Sequence, residues 1–216
     1  MPIKRASNIT LNPDAANELK IVLVGDSKVG KTTLLETLKG DGMIERGYSV
    51  SLQLESREIA KNSSSPKVGR IFDLRSQRYF PFLHSIYYHG AKGAIIVFDV
   101  TNRLSFESVI KWRDIIWGHV GKIPLLLVGN KSDLKNDPEL HISINEGKAL
   151  AKELSALQEI PVPYLEVSAV YHIIAFCDER IKPIETEDIY PTYEEFRKPF
   201  YIWLIEIIKK GGETKL

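Results

Sequence analysis

The chain has 216 residues, a formal net charge of +1 and one cysteine, Cys177. That length suits one α/β domain with a buried core and leaves little for a second. The near-neutral charge gives no argument for nucleic acid or an anionic membrane as partner, and a single cysteine excludes an internal disulfide, as fits a reducing compartment.

The N-terminal MPIKRASNIT lacks a signal-peptide core, and no apolar run approaches the ~18–20 residues of a spanning helix. Pro2 after the initiator leaves no glycine for myristoylation, and the final KKGGETKL holds no cysteine for prenylation. The expectation is a cytoplasmic protein with no direct lipid anchor, reaching any membrane through a partner.

Strand-like and helical segments alternate along the chain. LKIVLV (Leu19 to Val24) is short and rich in β-branched residues, as a buried parallel strand is. TTLLETLKG predicts a helix ending at Gly40, and the segment from Asp41 to Ser49, with Gly42 and Gly47, predicts a loop. SLQLESREIA alternates as a half-exposed edge strand does, and KVGRIFDL would pair with it across the turn KNSSSP. FLHSIYY reads as a helical piece, AIIVFDV (Ala94 to Val100) as a buried strand.

SFESVIKWRDIIWGHV sets Phe106, Val109, Ile110, Trp112, Ile116 and Trp117 mostly on one helical face, with Ser105 as N-cap. PLLLVGN (Pro124 to Asn130) is the next buried strand, NEGKALAKELSAL an amphipathic helix, and YLEVSA the last strand. Val170 to Pro191 predicts a long irregular connection. The closing helix places Phe196, Phe200, Trp203, Leu204, Ile207 and Ile208 at helical spacing, with Thr192 and Glu195 as a capping box and Pro199 as a kink or second start. There is no internal repeat. Strands alternating with helices imply a mostly parallel α/β sheet covered on both faces, with ligands at the carboxyl ends of the strands.

The chemistry-bearing motifs fall at those ends. GDSKVGKT has the spacing G-x-x-x-x-G-K-T between a strand and a helix. In such a loop the backbone N–H groups of Asp26, Ser27, Lys28, Val29, Gly30, Lys31, Thr32 and Thr33 turn toward phosphate oxygens, helped by the positive end of the helix. Lys31 would reach the β- and γ-phosphates, and Thr32 would offer its hydroxyl to Mg²⁺. The Lys28 side chain is expected to face solvent rather than the phosphates.

NKSD ends a buried strand and would choose the base. Asp133 can accept from the N1–H and exocyclic amine of guanine, a donor pair that adenine lacks. The Lys131 stem can lie over the base plane, and Asn130 can tie this loop to the phosphate loop. EVSA brings Ser168 and the Ala169 N–H toward guanine O6. Cys177 and the five histidines show no nucleophile partner or metal-ligand spacing.

GDSKVGKT, IYYHGAKGAIIVFDVTNRLSFESV, VGNKSDL and EVSA together resemble the Ras superfamily of small GTPases, and the middle block is most similar to its Rab branch. The resemblance covers Leu19 to Ala169 and, less specifically, the final helix. It implies a single P-loop NTPase domain over residues 19–210, a six-stranded mostly parallel sheet flanked by about five helices. Residues 1–18 would then be an N-terminal extension, 170–191 an insertion and 211–216 a short tail. It further implies binding of GTP and GDP with Mg²⁺, and two loops that clasp the γ-phosphate and relax after hydrolysis. Effector and regulator proteins would be met through residues 41–56 and 73–88.

Both loops depart from the family pattern. Where the family has D-x-A-G-Q, this chain has DLRSQ. Asp73 can hold the Mg²⁺ shell and Gln77 matches the water-orienting glutamine, but Ser76 replaces the glycine whose N–H meets the γ-phosphate. No clear threonine supplies the first loop's Mg²⁺ ligand. Ser51, just before the expected edge strand, is the best positional match and Ser49 the second. Val170 stands where relatives have a lysine that packs on the base. Arg75 and Arg78 flank the second loop and are read as solvated or partner-contacting rather than as a built-in arginine finger.

The leading expectation is a GTP-binding regulatory protein with slow hydrolysis. A hydrolysis-deficient module that keeps its nucleotide as a structural ligand is the alternative, and an ATP-using phosphotransferase a distant third, disfavoured by NKSD.

Overall fold

Among the described residues eight strands form one sheet, in the order β2-β3-β4-β1-β5-β6-β7-β8. The computed structural model describes residues 18–38, 43–46, 49–55, 68–73, 88–135, 141–171, 173–176, 196, 198–200, 202–204, 206 and 207. In chain order these are β1 (Glu18–Val24), α1 (Lys31–Leu38), β2 (Met43–Arg46), β3 (Ser49–Glu55), β4 (Val68–Asp73), β5 (Gly93–Asp99), α2 (Arg103–Val120), β6 (Leu125–Asn130), α3 (Ile144–Gln158), β7 (Tyr164–Ser168) and β8 (Ile173–Phe176). The residues described from 196 to 207 are helical.

β1 pairs in parallel with β4 and β5, β5 with β6, and β6 with β7. Every residue of β5, β6 and β7 is buried. That is why these strands read as unbroken apolar runs: a parallel strand with helices on both faces has no solvent side. On one face Ile21, Leu23, Ile95, Val97, Leu126 and Val128 pack with Leu34, Leu35 and Leu38 of α1 and with Phe196, Phe200, Trp203, Leu204 and Ile207. On the other, Val22, Val24, Ile96, Phe98, Leu125 and Leu127 pack with Val109 and Ile116 of α2 and with Ala151 and Leu154 of α3.

The mostly parallel α/β architecture is as expected; the strand count is higher by one strand at each edge. The segment expected to be a loop holds β2, which pairs antiparallel with β3 from Met43↔Leu52 to Arg46↔Ser49. β3 is therefore not the edge strand, and Ser51 lies within it, opposite Ile44 on one side and Phe72 on the other. The antiparallel pairing of β3 with β4 is as expected.

At the far edge, β7 is not the last strand. The supposedly irregular connection contains β8, antiparallel to β7 with an irregularity between Glu166 and Val167. Each added strand spans four residues, too short for alternation to register as a period. Each is stabilised by a partner strand supplying backbone hydrogen bonds rather than by its own pattern.

The N-cap of α2 is Asn102, not Ser105. Asn102 Oδ1 accepts from the Leu104 and Ser105 N–H groups at 3.1 and 3.4 Å. Ser105 is buried, its Oγ accepting from the Asp99 N–H at 3.0 Å and donating to the Asn102 carbonyl at 2.8 Å. Phe106, Ile110, Trp112 and Trp117 are partly buried against the core beside Val109 and Ile116.

β1 begins at Glu18, the last residue expected in the N-terminal extension. Pro199 is helical and buried. Residues 1–17, the tail 211–216, Gly40, most of FLHSIYY, Thr192, Glu195, Ile208 and Cys177 lie outside the described residues.

Candidate functional site

The carboxyl ends of β1, β4, β5, β6 and β7 bring the expected motifs together. After β1 the chain turns through Gly25 (φ 141°) and Gly30 (φ 93°) before entering α1. A Cβ on Gly25 would lie 2.1 Å from the Val97 carbonyl oxygen of β5, and one on Gly30 would lie 2.2 Å from Asn130 Nδ2. Neither position accepts a side chain, because the loop is pressed against β5 and β6. Between them Lys28 adopts left-handed backbone (φ 67°) and is exposed, as is Ser27.

Lys31 folds back over the loop. Its Nζ donates to the Gly25 carbonyl at 2.9 Å and the Asp26 carbonyl at 2.6 Å. The ammonium is thus fixed over the concave side of the turn, where a phosphate chain would compete for it. Val29 is buried in the core and Thr33 half-buried. Thr32 Oγ1 donates to Asp73 Oδ2 at 2.8 Å, so the two residues expected to share Mg²⁺ are adjacent across β1. A carboxylate and a hydroxyl are hard oxygen donors, the kind Mg²⁺ takes alongside phosphate oxygens and water. The donor set fits the ion.

Asn130 joins three segments. It is 2 % exposed. Its Nδ2 donates to the Val29 carbonyl at 2.9 Å, and its Oδ1 accepts from the Ala169 N–H at 3.0 Å. The tie to the phosphate loop is as the sequence suggests. The Ala169 N–H, expected to face guanine O6, is the donor that the buried Asn130 amide oxygen takes in this structure. The next residue, Lys131, is left-handed (φ 68°) and starts the 3₁₀ turn Ser132–Leu134 that carries half-buried Asp133. Lys131 Nζ pairs with Asp99 Oδ2 at 2.6 Å, which lays the lysine stem along the end of β5. Ser168 is fully buried and its Oγ accepts from the Tyr171 N–H at 3.3 Å.

Several contacts have no local sequence signal. Thr37 Oγ1 of α1 donates to the Ala169 carbonyl at 2.7 Å, tying α1 to the end of β7. Lys135 Nζ pairs with Glu166 Oε1 at 2.7 Å, and the Tyr164 hydroxyl donates to Glu166 Oε2 at 2.8 Å. Burial first, and the Glu166 charge second, push the Tyr164 hydroxyl far above the usual phenol range, so it remains a donor. Trp112 Nε1 donates to Asp26 Oδ1 at 2.9 Å. Apart from Tyr164 and Glu166, which are neighbours on one face of β7, the partners are distant in sequence and only the fold brings them together.

Gln77, Ser76, Arg75 and Arg78 lie outside the described residues. Ser51 is placed by its backbone in β3, and Asp73 ends β4 one residue beyond Phe72, the partner of Ser51. Val170 is 63 % exposed.

The Ras family sequence model matches residues 20–174. The chain belongs to the Ras family. It is 37 % identical over 161 residues to the Ras-related protein Rab-1A of Dictyostelium discoideum, covering 74 % of this chain and 75 % of that one. It is 36 % identical over 161 residues to the Ras-related protein RIC1 of Oryza sativa subsp. japonica, with the same coverage. To the Ras-related protein YPTC6 of Chlamydomonas reinhardtii it is 29 % identical over 188 residues, 82 % of this chain and 84 % of that one. This Ras-family chain is a Rab-like small GTP-binding regulatory protein. No helix among the described residues is long and apolar enough to cross a membrane.

Proposed function

We propose that the protein binds GTP and GDP with Mg²⁺ at the carboxyl ends of β1, β4, β6 and β7, and hydrolyses GTP slowly to GDP and phosphate. The observation that carries this reading is the Asn130 bridge, which holds the phosphate loop, the base-reading turn and the end of β7 as one unit. Asp133 would recognise the guanine edge and Lys31 would leave its two carbonyls for the β- and γ-phosphates. Mg²⁺, held by Thr32 and Asp73 with Ser51 or Ser49 as a further ligand, would offset phosphate charge. Gln77 would orient a water in line with the γ-phosphorus; the water oxygen bonds to phosphorus as the bond to the bridging oxygen breaks, the water's protons pass to the phosphate product and solvent, and GDP leaves. The Ser76 N–H would sense the γ-phosphate. Output would pass to effector and regulator proteins through residues 41–56 and 73–88.

One observation favours the second reading, a hydrolysis-deficient module that keeps its nucleotide. β2 and β4 flank β3 by backbone pairing, so Ser51 sits inside the sheet. A first loop held in a sheet is a poor clasp for a leaving phosphate.

Loading the protein with GTP and Mg²⁺, and following bound GTP and GDP by chromatography over hours, separates the two. The first reading predicts GDP accumulating at a rate that drops at least tenfold in Gln77→Leu. GTP persisting unchanged on the wild-type protein favours the second, and an equal rate in Gln77→Leu removes that glutamine from the mechanism.

A further inference from the structure

A carboxylate in a phosphate-binding loop is an electrostatic liability. Asp26 follows Gly25 directly, and its own carbonyl accepts from Lys31 Nζ at 2.6 Å. Its backbone therefore lines the same concavity that Lys31 covers. Two charges of the same sign a few ångströms apart repel each other, more strongly at the effective dielectric of a protein surface than in water. An Asp26 side chain free to rotate would bring that repulsion to bear on the phosphates.

The side chain is not free to rotate. Trp112, in the middle of α2, donates its indole Nε1–H to Asp26 Oδ1 at 2.9 Å, across 86 residues of sequence. The indole is partly buried against the core on the α2 face of the sheet. α2 is anchored by its Asn102 cap and by Val109 and Ile116, both fully buried. The donor is thus mounted on a rigid element. A hydrogen bond to a charged acceptor is stronger than a neutral one, and tryptophan offers a donor with no acceptor, so the bond has one polarity.

We infer that Trp112 is a positioning residue for nucleotide binding: its indole N–H holds the Asp26 carboxylate on the α2 side of the phosphate loop, away from the nucleotide's phosphates. The inference rests on the reading of this loop as the GTP and GDP site. It makes α2 an outer wall of that site. It also explains how this loop carries an aspartate immediately after its first glycine. The ligand class is a nucleoside polyphosphate, and the cost of a released carboxylate grows with phosphate charge.

The test is a double-mutant cycle read by dissociation of labelled GDP and labelled GTP in Mg²⁺. Trp112→Phe keeps an aromatic ring against the core and deletes only the N–H. It should speed release of GDP about tenfold and of GTP more, and the excess should shrink as salt is raised, since screening weakens repulsion. Asp26→Ala alone sets the reference rate for a loop that carries no carboxylate. Trp112→Phe combined with Asp26→Ala should return to the Asp26→Ala rate, because no charge then remains to misplace.

Trp112→Phe releasing nucleotide at the wild-type rate would overturn the inference while leaving the site intact. So would a double mutant as fast as the product of the two single effects, which is what mere loss of packing produces. Failure of the wild-type protein to bind either nucleotide would overturn both the inference and the site reading. Matching melting temperatures for Trp112→Phe and wild type separate a positioning effect from unfolding.

Discussion

Asn130 is the side chain on which the site depends most. It is buried, and both ends of its amide serve backbone groups that belong to other segments. Truncation to alanine would leave the Val29 carbonyl and the Ala169 N–H without their partner in a dry place. Each unpaired buried group costs about 1–3 kcal/mol. Asn130→Ala should therefore lower stability by about 2–4 kcal/mol, measured by urea unfolding, and release GDP at least tenfold faster. A variant with unchanged GDP release would show that the three segments hold their places without it. The tie was legible because NKSD follows an unbroken apolar strand, so its first residue had to end inside. Trp112 was not: helical spacing assigned it to an apolar stripe, and spacing does not say where an indole N–H points. The bond from the Ala169 N–H to Asn130 was not legible for a related reason. An N–H at a strand end looks available until the side chain that claims it is placed.

At the scale of elements, local chemistry and tertiary pairing divide the account. The start of the helix α3 shows local chemistry, with one tertiary partner added. Ser143 and Glu146 form a reciprocal capping box, with the Glu146 N–H on Ser143 Oγ at 3.2 Å and the Ser143 N–H on Glu146 Oε2 at 2.9 Å. The Arg103 guanidinium, bonded at 2.6 Å, and then the Ser143 N–H hold the Glu146 carboxyl at about 2, below its ordinary 4.5. A depressed carboxylate stabilises the fold above its unfolded value, and that stability is lost as pH falls from about 4.5 through about 2. The Glu146 side chain is 40 % exposed, so solvent screening keeps the effect small, at most about 1 kcal/mol at neutral pH. Glu146→Ala should lower the melting temperature slightly at neutral pH, and the gap from wild type should close across that acid window. A gap that stays constant down to pH of about 2 would contradict the assigned cause.

The elements that sequence reasoning missed are those whose stability comes from elsewhere. Met43–Arg46 and Ile173–Phe176 become strands because β3 and β7 offer them open edges. Ser105 and Asn102 are both good cap residues. What separates them is that the end of β5 claims the Ser105 hydroxyl through the Asp99 N–H. That information resides in the neighbouring strand, not in the helix.

For the molecule as a whole, the parallel run of β4, β1, β5, β6 and β7 sets the function. Parallel strands end on one side, so the phosphate loop after β1, Asp73 at the end of β4, Asn130 at the end of β6 and Ala169 after β7 converge without any being near another in sequence. The buried runs LKIVLV, AIIVFDV and PLLLVGN made that architecture legible, because strands covered on both faces must be apolar throughout. The Ras-family membership agrees with it over residues 20–174.

The central claim is that this convergence forms a guanine-selective nucleotide site, with Asp133 reading the base. The most direct measurement is calorimetric titration of wild type and Asp133→Asn with GDP, ADP and xanthosine diphosphate in Mg²⁺. The account predicts that wild type binds GDP at least a hundredfold more tightly than ADP. It predicts that Asp133→Asn loses most of its GDP affinity and gains xanthosine diphosphate, whose C2 carbonyl accepts where guanine donates. Unchanged GDP affinity in Asp133→Asn, or equal binding of GDP and ADP by wild type, would contradict it.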